Sequence, residues 1–177
     1  MKLLKPFLSL FLVILLSSHA YANTYGVINT KKILEEAQVV IYLQKKINDK
    51  QKKYQSIITK KQDLIEKEKE SIIAKKDILS NETLIKEEKK FQEKVLKFKD
   101  YVTNKEQILK DASLDAMKII QKKIEESIAE VSQKNKLKIV FPESQVVFYD
   151  DKFDITNDVL TTLNSKIRKV KVKFNDK

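Results

Sequence analysis

Few side chains here are of a kind that does chemistry. The one histidine, His19, lies in an apolar N-terminal stretch and cysteine is absent, so the rest of the chain has no imidazole or thiol nucleophile, no disulfide and none of the usual transition-metal ligands. Carboxylates remain, in the adjacent pairs Glu35-Glu36, Glu87-Glu88 and Glu125-Glu126, each standing among lysines. That is the pattern of a solvated helix face, not of an acid–base pair in a pocket. No enzymatic activity, metal or cofactor is expected, and the candidates that remain are binding residues. Ile57, Leu64, Ile78, Tyr101 and Ile108 each stand one position before a heptad seam residue and so share a flank. They either touch a bound partner or widen the packing stripe of the helices themselves, the latter being the plainer reading.

The element that must position them is long. Between Asn29 and Asn135 there is neither glycine nor proline, whereas turn residues punctuate a compact domain far more often. Ile33, Val40, Ile47 and Tyr54, interleaved with Ala37 and followed by Ile58, Ile65, Ile72 and Leu79, form a heptad seam. A second seam runs through Leu84, Phe91, Phe98, Ala112 and Ile119, interleaved with Val95, Val102, Leu109 and Ala116, before slipping in phase to Ile124, Ile128 and Val131. Between the two seams lie residues 79–83, where Ser80 or Asn81 can N-cap a second helix. The expectation is an antiparallel helical hairpin over residues 30–135 with its tip near 79–83, a single continuous rod being the competing reading. At about 1.5 Å per residue each arm would reach roughly 70–80 Å, too long for a small core to cover.

The chain starts with Lys2 and Lys5, an apolar run from Leu3 to Leu16, and Ala20-Tyr21-Ala22. This is the layout of a secretory signal peptide, residues 1–22, cleaved after Ala22. The apolar run is shorter than the roughly 20 residues of a membrane span, and no cysteine is present at the junction for lipid attachment. Removing two lysines lowers the formal charge from +11 to +9. Arg168 is the sole arginine, so the basic balance is one of lysine, a bias that base composition alone can create.

Residues 23–29 and 136–165 read as a small α+β body. Tyr25-Gly26-Val27-Ile28 is a strand leading into a capped helix; Leu137–Phe141 and Gln145–Tyr149 read as two further strands joined by a turn, and Thr156 as the cap of a last helix with Val159, Leu160 and Leu163 on its apolar face. So few residues bury too little apolar surface to stand alone, and oligomerisation is the expected remedy. Val27, Ile28, Ile139, Phe141, Val147, Tyr149 and Ile155 are its candidate residues. Residues 166–177 form a basic tail, either an edge strand, a segment seeking anionic lipid or lipopolysaccharide, or simply disordered.

The order of these parts resembles the Skp/OmpH family of periplasmic chaperones of Gram-negative bacteria. The resemblance is carried by Val27-Ile28-Asn29 with Ile33-Leu34, by Leu137–Phe141 and Val146–Tyr149, and most of all by Asp154-Ile155-Thr156-Asn157-Asp158-Val159-Leu160. It implies a homotrimer in the periplasm, its strands sharing a body from which helical hairpins hang around a cavity. It further implies ATP-independent holding of unfolded outer-membrane β-barrel proteins, whose alternating apolar residues and open strand edges aggregate when free. A coiled-coil scaffold or adaptor of the cell envelope is the alternative. Nucleic acid is not an expected partner, since the export signal opposes it and no arginine-rich or aromatic-interleaved patch supports it.

Overall fold

The computed structural model describes residues 25–176. The stretch read as an export signal, with its cleavage point, lies outside the described residues. Strand β1 (Tyr25–Ile28) buries all but its first residue. A Cβ on Gly26 would lie 2.9 Å from the Leu137 Cδ1 and 3.3 Å from the Ile155 Cδ1, so a larger residue there would require those side-chain ends to shift. Helix α1 (Thr30–Glu36) follows at once, N-capped by Asn29, whose side chain accepts from the Lys32 N–H at 2.7 Å.

The helical run does not continue unbroken. At Ala37 the backbone is extended (φ −63°, ψ 124°) and α2 (Gln38–Ala74) starts afresh. The break has a tertiary cause: the Asn164 side-chain oxygen accepts from the Gln38 N–H at 2.9 Å, replacing the helical carbonyl that amide loses, while Ala37 is fully buried. Helix α2 ends at Ala74, and the turn begins at Lys75, ahead of the expected 79–83. Ser80 is the N-cap of α3 (Asn81–Lys134), its hydroxyl accepting from the Thr83 N–H; Ile78 and Leu79 therefore belong to the turn. Lys105 over Tyr54, Lys61 over Tyr101 and Lys94 against Glu68 pair ascending positions of one helix with descending positions of the other. This register makes the arms an antiparallel hairpin and excludes the rod. With 37 and 54 residues, α2 and α3 span about 55 and 80 Å.

The core gathers where the hairpin meets the body. Ile33, Val39, Val40 and Leu43 pack with Ala116, Ile120 and Val131 of α3 and with Ile155, Val159, Leu160 and Leu163. Beyond Tyr54 and Lys105, toward the tip, no residue from 55 to 104 is buried. Helix α3 ends in a Schellman motif: the Leu137 N–H donates to Ser132 C=O at 2.8 Å and the Lys136 N–H to Gln133 C=O at 3.2 Å, with Lys136 in the left-handed region at φ 56°.

Strand β2 (Ile139–Pro142) pairs in parallel with β1, Tyr25 opposite Ile139 through Ile28 opposite Pro142. The second strand expected over residues 145–149 does not form. Beyond β2 come 3₁₀ turns at Glu143–Gln145 and Asp151–Phe153, and the other side of β1 is taken by a bridge from Val27 to Asp154, with the Ile155 N–H donating to Val27 C=O at 3.0 Å. Both sides of β1 are thus taken, and the outer edge of β2 carries no strand among the described residues. Helix α4 (Thr156–Lys166) closes the body. Thr156 is not its cap but its first residue: Asp154 accepts from the Thr156 N–H at 2.8 Å, freeing the buried Thr156 hydroxyl to accept from the Asn29 N–H at 2.8 Å.

The basic C-terminal segment is neither an edge strand nor a free tail. Residues 167–176 run extended without a ladder, with Val170 buried and Ile167 and Val172 packed against the core. The chain as a whole is an α+β protein, mostly α: a helical hairpin on a small body holding a two-stranded sheet.

Candidate functional site

The flank singled out in the sequence divides in the structure. Ile57, Leu64 and Ile78 are exposed, Ile78 with 83% of its surface accessible. Ile108 is buried between the arms, so for it the packing stripe is the right reading. Tyr101 is half-buried, with the ammonium groups of Lys61 and Lys105 over its ring at 5.0 and 5.3 Å. Leu64 and Tyr101 do share a surface, an open groove of about 390 Å³ with Ile65 and Phe98 at its floor and Lys61, Lys94 and Lys97 at its edges. Sequence reasoning missed the opposite flank: Ile73, Ile85 and Leu96 are all exposed, and each stands one position after a seam residue, the signal that would have found them.

The body residues divide as well. Val27, Ile28 and Ile155 lie in the chain's own core, whereas Ile139 and Phe141 project together from one face of β2 and Val147 is fully exposed beside an exposed Phe148. Tyr149 is half-buried, its hydroxyl donating to Glu143 Oε1 at 3.0 Å; that carboxylate holds the phenol above its ordinary pKa. Tyr25 stacks on Phe153 with ring centroids 4.9 Å apart.

The densest charge cluster lies where the arms leave the core. The Asp176 carboxylate, at the end of the extended segment, accepts from Lys50, from the Tyr54 hydroxyl and from Lys105, the last at 3.1 Å. Lys105 is itself buried, with its ammonium over the rings of Tyr54 and Tyr101 at 5.2 and 5.3 Å. Lys50, then Tyr54, hold the Asp176 carboxyl well below the usual carboxylate range. Burial, then Asp176, pushes the Tyr54 hydroxyl up.

Among the described residues no cluster of three or more histidine, cysteine, aspartate or glutamate side chains is placed to hold a metal, and no helix is long and apolar enough to cross a membrane. What the arms offer is surface: isolated apolar side chains at intervals along a lysine-rich hairpin, and a groove without a closed cavity.

Three comparisons bear on that geometry. Residues 24–163 match the family described as outer membrane protein (OmpH-like). An uncharacterized protein of Aquifex aeolicus (strain VF5) is 24% identical over 153 residues, which is 86% of this chain and 93% of that one. A crystal structure described as that of an OmpH-like outer membrane chaperone from Caulobacter crescentus CB15 has the same fold, with a TM-score of 0.80 at 14% identity over 86% of this chain and 90% of that one. The matched stretch takes in both arms of the hairpin, the strands of the body and most of its closing helix, and by that match the chain belongs to the Skp/OmpH family.

Proposed function

We propose that the protein is an ATP-independent periplasmic holdase that binds unfolded outer-membrane β-barrel proteins and keeps them from aggregating on their way to the outer membrane. One observation carries the reading: from residue 55 to 104 no side chain of the arms is fully buried, and Ile57, Leu64, Ile73, Ile78, Ile85 and Leu96 stand exposed among lysines. Apolar side chains spread singly along a projecting hairpin give many weak, separable contacts, which suit a chain with no fixed shape and permit its release. The formal charge of +9 outside the leading 22 residues attracts acidic unfolded chains at long range.

A homotrimer belongs to the same proposal. A two-stranded sheet is marginal by itself, and Ile139, Phe141, Val147 and Phe148 stand exposed on the body, where neighbouring copies of the chain would cover them. The segment 145–149, with no partner strand in its own chain, would find one there. An anionic lipid or lipopolysaccharide surface is a further proposed partner, through the outward row of Arg168, Lys169, Lys171 and Lys173.

The test is light scattering on the chain from Asn23 onward while urea-unfolded outer-membrane barrel protein is diluted in, with turbidity followed in parallel. A trimer that forms a soluble complex and suppresses turbidity supports the proposal. A monomer or dimer that leaves the barrel protein aggregating refutes it in favour of an envelope scaffold.

A further inference from the structure

We propose that the face of the hairpin covered by residues 167–176 is a binding site for an extended segment of an unfolded protein, one that alternates apolar residues and carries an acidic side chain, and that residues 167–176 are its displaceable occupant. This rests on the client-holding reading and assigns it a site. The segment lies outside residues 24–163, the stretch matched to the family.

The way the segment is seated is the first argument. Val170, Val172 and Phe174 turn inward and Lys169, Lys171 and Lys173 turn out, the period-two pattern of a half-buried strand. Lys169 stands over the Tyr42 ring and Asp176 bonds Tyr54, so it descends alongside α2. Twelve helical residues rise about 18 Å while seven extended ones reach about 23 Å, a nearly straight course. Among the described residues its amides make two backbone hydrogen bonds, Ile167 to Leu163 and Asp176 to Phe174. Against the arms it is therefore held by side chains: inward apolar residues, Lys169 over Tyr42, Lys50 over Phe174, and the Asp176 carboxylate. A barrel strand that alternates apolar residues and carries an aspartate or glutamate presents both the apolar row and the carboxylate.

The anchor is the second argument. Lys105 is buried between two tyrosine rings, and Asp176 is its one carboxylate partner among the described residues. With Lys50 and the Tyr54 hydroxyl on the same carboxylate, this is a pre-built acid reader drawing on both arms.

Charge decides the competition. Residues 167–176 contain Arg168, Lys169, Lys171 and Lys173 against Asp176, a net +3 laid on an already basic hairpin. An acidic strand keeps the anchor and exchanges repulsion for attraction. While the tail is bound, the apparent affinity for a competitor falls by the fraction of open sites, so a tail seated 90–99% of the time lowers it about 10- to 100-fold.

The experiment compares the chain from Asn23 with a variant ending at Lys166 and with Asp176→Lys, which retains the apolar residues but repels Lys50 and Lys105. Binding of a fluorescent nine-residue peptide alternating valine and glutamate is followed by anisotropy, with unlabelled peptide 167–176 as competitor and turbidity of urea-unfolded barrel protein in parallel. Both variants are expected to bind the peptide at least about tenfold more tightly than the full chain; the tail peptide is expected to compete, and Lys105→Gln in the shortened chain to abolish the gain. Equal binding by all forms, failure of the tail peptide to compete, or a gain that survives Lys105→Gln overturns the inference and leaves the tail as a brace. Should the shortened chain not fold, Asp176→Lys decides alone. Loss of turbidity suppression in every form, the full chain included, refutes the holdase reading instead.

Discussion

Replacing Thr156 with valine isolates one hydroxyl. Thr156 is fully buried, and its Oγ1 accepts from the Asn29 N–H at 2.8 Å, tying the start of α4 to the start of α1 across 127 positions. Valine fills the same volume, so no cavity forms; what changes is that an amide at the edge of the core loses its partner. An orphaned buried donor costs about 1–3 kcal/mol. In a chain of this length each kcal/mol moves Tm by about 2–4 °C, which places the expected fall at roughly 2–12 °C. Serine is the control: it retains the hydroxyl and loses one buried methyl, about 1 kcal/mol. Melts of the chain from Asn23 by far-ultraviolet circular dichroism would be compared at one protein concentration, because assembly links Tm to concentration. A valine variant that melts with the unsubstituted chain or above it would refute the reasoning and mean that packing of Ile155, Val159 and Leu160, not the hydroxyl, joins these elements.

Glycine at Lys136 relieves a left-handed backbone at φ 56°, and Lys136→Gly is expected to stabilise the chain by about 1 kcal/mol in urea titration. Serine at Ile57, Leu64 and Ile78 together is expected to leave Tm within a few degrees while abolishing suppression of barrel-protein turbidity; Ile108→Ser, in the buried seam, should instead lower stability by about 3 kcal/mol. The Asp176 cluster sets a pH window. Its carboxyl is lowered on folding, so its contribution is complete above the unfolded carboxyl value of about 4 and is lost as pH falls through the folded value. The Tyr54 hydroxyl is raised, so its contribution is complete below about 10 and is lost as pH rises through the folded value. Asp176→Asn should therefore flatten the acid limb of the Tm–pH curve, and Tyr54→Phe the alkaline limb. Finally, replacing Lys169, Lys171 and Lys173 by glutamate is expected to abolish salt-sensitive sedimentation with anionic phosphatidylglycerol vesicles.

The hairpin was legible because its signals are local. A heptad seam, Ser80 ahead of α3 and the absence of glycine and proline all act within a few residues. The features that the sequence did not disclose are those imposed from a distance. No residue near Ala37 marks a break; the oxygen that stabilises it comes from Asn164. Residues 145–149 have strand composition, yet a 3₁₀ turn at Glu143–Gln145 stands where a hairpin turn is expected, and the outer edge of β2 takes no strand from its own chain among the described residues. Thr156 has the residue type of a cap, but Asp154 is better placed for that role and the hydroxyl serves Asn29.

The binding surface was legible only in part, for a geometric reason. A heptad identifies which positions can face a partner helix, but not how far each helix is rotated about its axis. That rotation puts Ile108 of α3 in the seam and Leu64 of α2 outside it, although both stand on the same flank of the repeat. It is fixed where the arms meet the body, by the restart of α2 after Ala37 and by Asp176 reaching Lys50 and Tyr54 on one arm and Lys105 on the other. The tail thus enters the problem twice: it helps set which side chains the arms display, and it lies over part of what they display. A basic, lysine-alternating end looks unbound in sequence because its partners include Tyr42, Lys50 and Tyr54 on α2 and Lys105 on α3, far earlier in the chain, and only their assembly makes a seat for it.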